Sequence, residues 1–286
     1  QEFQLLGTHD KVQWVAGLYY FTEEGTNTNI LDFTVSNFRS GGDFDNEAWA
    51  AFAQVTYDVT EDLHVTLGGR YTDEQKSFTP DQIIFQNYYA GISQLVPAGN
   101  PLAALDAPFL QAGGRILPLL EKQIDVSEFT PAVNLAYDLS DNVMIYFNYS
   151  EGFKSGGFTQ RVFPPVVAPF TAPAGTADID LIPTYDPEFV DVAEVGFKGT
   201  FMDGKLRING ALFNTDYEEL QVQVFNSVAP VTRNLGEASI EGIELEALVA
   251  PGAGWLIEGS FAHLNAGYDN IDTVSYTHLT LPTNRE

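Results

Sequence analysis

No cysteine occurs in the 286 residues, so the chain holds together without disulfides and has no thiolate to offer a zinc ion. Cations are scarce: 13 Lys and Arg stand against 39 Asp and Glu, a formal net charge of −26. So little positive charge, scattered along the chain, excludes nucleic acid as a partner. An acidic surface suits divalent cations, cationic ligands or simple solubility. Long apolar runs are missing as well. The longest uncharged stretch, 82–105, is broken by Gly91, Pro97 and Pro101, whereas a membrane-crossing helix needs about 20 predominantly apolar residues. If the chain crosses a membrane, it does so with strands. The four histidines (His9, His64, His263, His278) have no metal-ligand spacing. No nucleophile elbow, P-loop or dinucleotide fingerprint is present either, so neither an enzyme nor a cofactor is expected.

What is present is alternation of period two. In the stretch 143–150, Val143, Ile145, Phe147 and Tyr149 take one face and Met144, Tyr146, Asn148 and Ser150 the other. Leu63, Val65, Leu67 and Tyr71 oppose His64, Thr66, Arg70 and Thr72 in the same way, and Ile243 and Leu245 oppose Glu244 and Glu246. The pattern predicts strands over 1–6, 12–23, 47–58, 63–76, 126–138, 142–153, 188–201, 205–217, 235–249 and 255–266.

The connections suggest how these strands are joined. Short polar turns at 58–62, 138–142, 202–204 and 250–254 alternate with long connections at 24–46, 77–125, 154–187 and 218–234. One rim with tight turns and one with long loops is the pattern of an up-and-down transmembrane barrel. A sandwich with Greek-key crossings gives no such alternation. Tyr57, Tyr137, Phe201 and Trp255 fall at strand ends beside the short turns, where an aromatic girdle belongs. A short helix within 101–120 is a further expectation for the second long connection.

Three segments then resemble the TonB-dependent iron-complex receptors of the outer membrane. They are Tyr149-Ser150-Glu151-Gly152-Phe153-Lys154-Ser155-Gly156-Gly157-Phe158, then Tyr185-Asp186-Pro187-Glu188 with Glu194-Val195-Gly196-Phe197-Lys198, then Asn234-Leu235-Gly236-Glu237-Ala238 with Glu241-Gly242-Ile243-Glu244-Leu245-Glu246. Their order and spacing match over roughly 10–270. The resemblance implies an all-β, antiparallel up-and-down barrel of about 22 strands, of which about ten would lie here, as a curved open sheet or incompletely closed barrel. It implies active uptake of a scarce ligand, most simply a ferric siderophore or other iron complex, energised by TonB acting on a plug domain inside the lumen. It also places the protein in the bacterial outer membrane, against lipid and lipopolysaccharide. A passive channel or an adhesin built on the same barrel is the alternative.

With no plug or Ton box ahead of Gln1, no signal peptide and no closing aromatic-ended strand, residues 1–273 are expected to be a fragment of the barrel. The tail 274–286 resembles translated adapter read-through and is expected to be non-native. Glu194, Lys198, Glu244 and Glu246 are expected to face the lumen and plug, because a cation facing lipid at the midplane costs about 2–4 kcal/mol. Phe85, Tyr88, Tyr89, Phe153, Lys154, Phe158 and Arg161 combine aromatic surface with two cations at the long-loop rim. They suit an anionic ferric complex; packing within the loops and contact with lipopolysaccharide account for them equally well. The acidic groups Asp43, Asp45, Glu47 and Asp178, Asp180 lack the full spacing of a calcium loop, so solvated loops are expected there.

Overall fold

A computed structural model describes residues 1–32, 36–87, 112–160, 177–226 and 229–271. The strands are β1 (Glu2–His9), β2 (Val12–Asp32), β3 (Ser36–Asp58), β4 (Leu63–Pro80), β5 (Ile83–Asn87), β6 (Lys122–Ser140), β7 (Val143–Lys154), β8 (Gly157–Phe158), β9 (Thr184–Tyr185), β10 (Glu188–Phe201), β11 (Leu206–Glu218), β12 (Gln221–Asn226), β13 (Ala229–Asn234), β14 (Gly236–Gly252) and β15 (Trp255–Ile271). The main sheet runs β1-β2-β3-β4-β6-β7-β10-β11-β14-β15, all antiparallel, with β5 added beside β3. The ten strands of this path correspond to the ten expected from alternation. Among the described residues β1 and β15 do not pair with each other, so the sheet is open.

Strictly sequential pairing puts every second connection on the same rim. The turns 10–11, 59–62, 141–142, 202–205 and 253–254 therefore share one rim. Several use left-handed backbone, as at Met202 (φ 56°), Asp203 (φ 53°) and Gly204 (φ 83°), which lets a strand reverse over very few residues.

Register fixes the two faces. Val65, Leu135, Phe147, Val195, Leu212 and Ile243 are successive cross-strand partners in one row. Thr66, Asn134, Asn148 and Glu194 form the adjacent row on the opposite face. The apolar face has no second layer over it. Leu67, Val195 and Leu212 are 56%, 51% and 54% exposed, which in water would be an untenable apolar surface and in a bilayer is the lipid contact. On this face Tyr57 and Tyr137 mark the short-turn end of the band and Trp49 and Tyr71 the other, and the last two rings pack 5.5 Å apart. Beyond that upper pair the same face turns acidic, at Asp45, Glu47 and Asp73. Aromatic rings also lie across glycines of neighbouring strands. A Cβ on Gly210 would sit 2.6 Å from the Phe197 ring, one on Gly25 2.7 Å from Phe44, and one on Gly242 2.8 Å from Phe213. Each glycine is the register partner of its ring.

Two expected connections are corrected. The span 24–46 is not a loop, because β2 runs on to Asp32 and β3 begins at Ser36. Alternation fades there because one face meets water while the other, at Ser40 and Gly42, packs beneath the loops with small residues, so the ladder continues without an apolar stripe to reveal it. The span 218–234 folds into the hairpin β12–β13, paired from Gln221↔Asn234 to Asn226↔Ala229. Of the expected helix within 101–120, residues 112–120 contain none and the remainder lies outside the described residues. The tail 274–286 lies outside them too.

Apart from Ala50 within the sheet, the most tightly buried apolar residues sit at the long-loop end. Phe38, Phe78, Ile84, Ile116, Leu117 and Ile182 are each 2% exposed or less. They come from four different connections or strand extensions and form a small core standing above the apolar band.

Candidate functional site

The polar face carries several groups of cross-strand side-chain hydrogen bonds. Thr56 and Thr66 join β3 to β4 at 2.8 Å, Asn134 and Asn148 join β6 to β7, and Asn148 Nδ2 donates to Glu194 on β10 at 3.4 Å. Near the short-turn rim His64 lies between Asp58 (2.6 Å) and Asp138 (3.4 Å), linking β3, β4 and β6. Lys198 stands 5.4 Å from the Tyr146 ring, and Asn209 donates to Glu246 at 3.5 Å. Higher on this face Arg70 lies over Tyr19 (5.3 Å) and Phe52 (5.9 Å), and its Nε donates to Thr72. A hollow of about 300 Å³ opens there, lined by Gln54, Thr66, Gly68, Asn134, Asn148 and Glu194. Register places Glu194, Lys198, Glu244 and Glu246 all on this polar face. Polar residues are tolerated here because none of them meets hydrocarbon.

The expected ligand residues separate. Lys154 ends β7 on the polar face and is exposed, whereas Phe153 has the parity of Phe147 and pairs with Phe189 on the apolar face. Phe158 packs against Phe78 (5.5 Å) at the edge of the loop core, and Phe85 is 44% exposed on β5. Tyr88, Tyr89 and Arg161 lie outside the described residues. Among the described residues, Lys154 and Phe158 are the expected ones at the long-loop end of the polar face. Asp43, Asp45 and Glu47 alternate along one face of β3, and among the described residues no three His, Asp or Glu side chains converge as a metal site.

Residues that alternation did not single out organise this mouth. Gln160 is gripped from three sides: its side-chain oxygen accepts from Asn27 (2.7 Å), and its carbonyl accepts from Gln82 (2.9 Å) and Ser40 (3.1 Å). Lys76 donates to Gly156 O (3.1 Å) and Lys122 to Ile182 O (2.9 Å). A second knot lies over β10, β11 and β14. Gln221 Nε2 donates to the carbonyls of Ser155 (3.0 Å), Asp186 (3.0 Å) and Lys154 (3.4 Å), while its backbone N–H donates to Glu188 (2.6 Å). Asn234 Nδ2 donates to Glu219 O (2.7 Å), Asp186 O (2.9 Å) and Pro187 O (3.4 Å), and its Oδ1 accepts from Asp186 N–H (2.8 Å). Asn234 and Asp186 stand in the family-like segments, so the sequence flagged the residues but not their partnership.

At the outer end Asp81 is shared by Arg115 (2.7 Å) and Arg39 (2.5 Å). Hydrogen bonding to Arg115, then to Arg39, holds its carboxyl below the usual 3.8 against the opposing effect of burial. A depressed carboxyl lends stability that is complete above its unfolded value and drains away as pH falls through the folded one. Acidifying below the usual carboxylate range is therefore expected to loosen the backbone bonds from Ile84 N–H to Gly114 O and from Gly113 N–H to Ile84 O. Amide exchange of those two residues measures it. In Asp81→Asn the acid-dependent part should vanish.

Comparison with known proteins gives one family. A model described as "TonB dependent receptor-like, beta-barrel" matches residues 1–285. The ferric-pyoverdine 358 receptor of Pseudomonas putida is 23% identical over 283 residues, covering 91% of this chain and 28% of that one. Among solved structures, the ferric yersiniabactin uptake receptor FyuA from Yersinia pestis is similar with a TM-score of 0.65 at 18% identity, over 94% of this chain and 35% of that one. The ferric-catecholate import receptor Fiu from K12 E. coli, in its closed form, gives 0.63 at 18% identity, over 94% and 37%. At such identities these structures speak for the fold alone, and the chain spans little more than a third of each.

Proposed function

Since the chain belongs to the TonB-dependent receptor-like β-barrel family, a family of outer-membrane transport receptors and not of enzymes, we propose that it supplies part of the wall of a receptor that takes up a ferric siderophore or another iron complex. The supporting observation is the two-faced sheet: an apolar face without a second layer, backed by a polar face that carries cross-strand side-chain hydrogen bonds. A solvated sheet would not leave Leu67, Val195 and Leu212 bare, and a soluble-protein core would not tolerate Glu194, Lys198, Glu244 and Glu246 along one face. The apolar face meets outer-membrane lipid and, above the aromatic girdle, lipopolysaccharide. The polar face lines the lumen. There Glu194, Lys198, Glu244 and Glu246 contact the receptor's own plug domain, which the inner-membrane energy transducer TonB displaces. Lys154 and Phe158, with Phe85, Tyr88, Tyr89 and Arg161, meet the ligand at the mouth, where a cation attracts an anionic chelate and aromatic rings stack on it.

The test is uptake. The intact receptor that contains this chain, expressed in a host stripped of its own iron receptors, should import radioactive iron from at least one of a panel of ferric siderophores that includes ferric pyoverdine. Import should cease when TonB is deleted. Import that persists without TonB would favour a passive channel, and no import of any iron chelate would remove the iron-complex reading.

A further inference from the structure

The three segments that carry the family resemblance are far apart in the chain but meet at one point above the sheet. Gln221 reaches back 67 residues to Lys154 O, and Asn234 reaches 48 residues to both the N–H and the carbonyl of Asp186. Five carbonyls, of Lys154, Ser155, Asp186, Pro187 and Glu219, are collected by two primary amides. These carbonyls lie where the main ladder has ended: Lys154 and Glu188 are the last pair between β7 and β10, and Phe189↔Glu218 the last between β10 and β11. Beyond it, among the described residues, the chain here is paired only by the two-residue ladder β8–β9 (Gly157↔Tyr185, Phe158↔Thr184) and by the hairpin β12–β13, and the carbonyls left between these ladders are taken by side-chain N–H donors.

The geometry assigns to Gln221 and Asn234 the role of positioning residues: they tie the root of the β7–β10 connection to the root of the β12–β13 hairpin and so fix where Lys154 and Phe158 stand at the mouth. This role rests on the reading of the mouth as the ligand entrance, but the tie can be measured without a ligand. A neighbouring glycine supports it. A Cβ on Gly156 would approach Tyr185 O to 2.5 Å and the Asp186 carbonyl carbon to 3.2 Å, so the two chain segments are in close backbone contact at the knot. An amide is required at both positions. Aspartate at 234 keeps the shape and the acceptor for Asp186 N–H but turns a carboxylate oxygen toward the carbonyls of Glu219, Asp186 and Pro187. Glutamate at 221 does the same to Lys154, Ser155 and Asp186.

The chain has no cysteine, so in the intact receptor, with any cysteines elsewhere replaced, spin labels at Asp125→Cys and Lys154→Cys report the position of the β7 end relative to β6. Lys154 enters the knot only through its backbone, so labelling its side chain leaves the tie in place. The parent should give one narrow distance distribution. Asn234→Asp and Gln221→Glu should each broaden it at least about twofold while heat-modifiable gel mobility stays that of the parent. Gln223→Ala, in the same hairpin but outside the knot, should leave it unchanged. Parent-like widths in both knot variants would overturn the assignment. If Asn234→Asp does not assemble, Gln221→Ala, which removes only the side-chain donors, decides in the same way. Broadening, where the unlabelled receptor with Lys154 intact imports no iron complex, would leave the positioning role standing and remove the ligand entrance. Parent-like widths, where that unlabelled receptor does import, would remove the positioning role alone.

Discussion

Val195→Arg is expected to cut assembly into the membrane sharply, with a loss of about 2–4 kcal/mol as for an arginine facing lipid near the bilayer midplane. Val195 lies in the middle of the apolar row, flanked by Phe147 and Leu212, and is 51% exposed with no protein layer over it. The guanidinium would have to snorkel along the sheet to reach water, past the aromatic ends of the band. Gln54→Arg, on the opposite face beside the hollow, introduces the same side chain to a polar surface and should cost far less. Urea titration of both variants of the intact receptor in liposomes makes the comparison. Equal stability of the two would mean that the apolar face does not meet lipid.

Gly41→Ala should have the second large effect, confined to the outer end of the sheet. Gly41 has φ +131°, and a Cβ there would fall on the carbonyl oxygen of Asn27, with the carbonyl carbon 2.7 Å away. Backbone strain together with forced separation of β2 from β3 amounts to roughly 2–5 kcal/mol. The contacts dependent on this position are Asp81 N–H to Gly41 O (2.9 Å) and the neighbouring Ser40 Oγ to Gln160 O. Amide protection across 27–31 and 38–42 should therefore collapse, while 12–20 and 49–57 keep theirs. Native protection at the outer end of this hairpin would refute the steric account.

The sequence made the membrane portion legible because hydrocarbon imposes a pattern. Wherever one face meets lipid and the other water, as at 63–71 or 143–149, residues must alternate, and these strands were found on that signal alone. Past the girdle the constraint lifts. Thr26, Asn27, Thr28 and Asn29 are polar strand residues with water on one side and loop backbone and side chains on the other, so nothing in their hydropathy separates them from a loop. The hairpin β12–β13 escaped because it is short: Val224 and Val231 are buried, but each strand has only six residues to show the alternation. The polar-face residues Glu194, Lys198, Glu244 and Glu246 were placed by parity, which needs only the register. The mouth could not be read that way. Its ties run from amide side chains to backbone carbonyls many residues distant, and a carbonyl has no letter in the sequence. Phe153 shows the limit from the other side: adjacent to Lys154 and aromatic, it looked like part of the same surface, yet period two sends it to the opposite face.

The rings laid over glycines bear on how this sheet can be inherited. Phe197 over Gly210, Phe44 over Gly25 and Phe213 over Gly242 are each one packing decision written at two positions of the gene. A mutation that gives the glycine a side chain evicts the ring, and one that deletes the ring bares a backbone that no neighbour then covers. Either change alone passes through a worse protein. Descendants should therefore carry both partners or neither, and an alignment of relatives should show these positions changing in step across strands while residues of the apolar face, such as Leu67 and Val195, drift freely among apolar types.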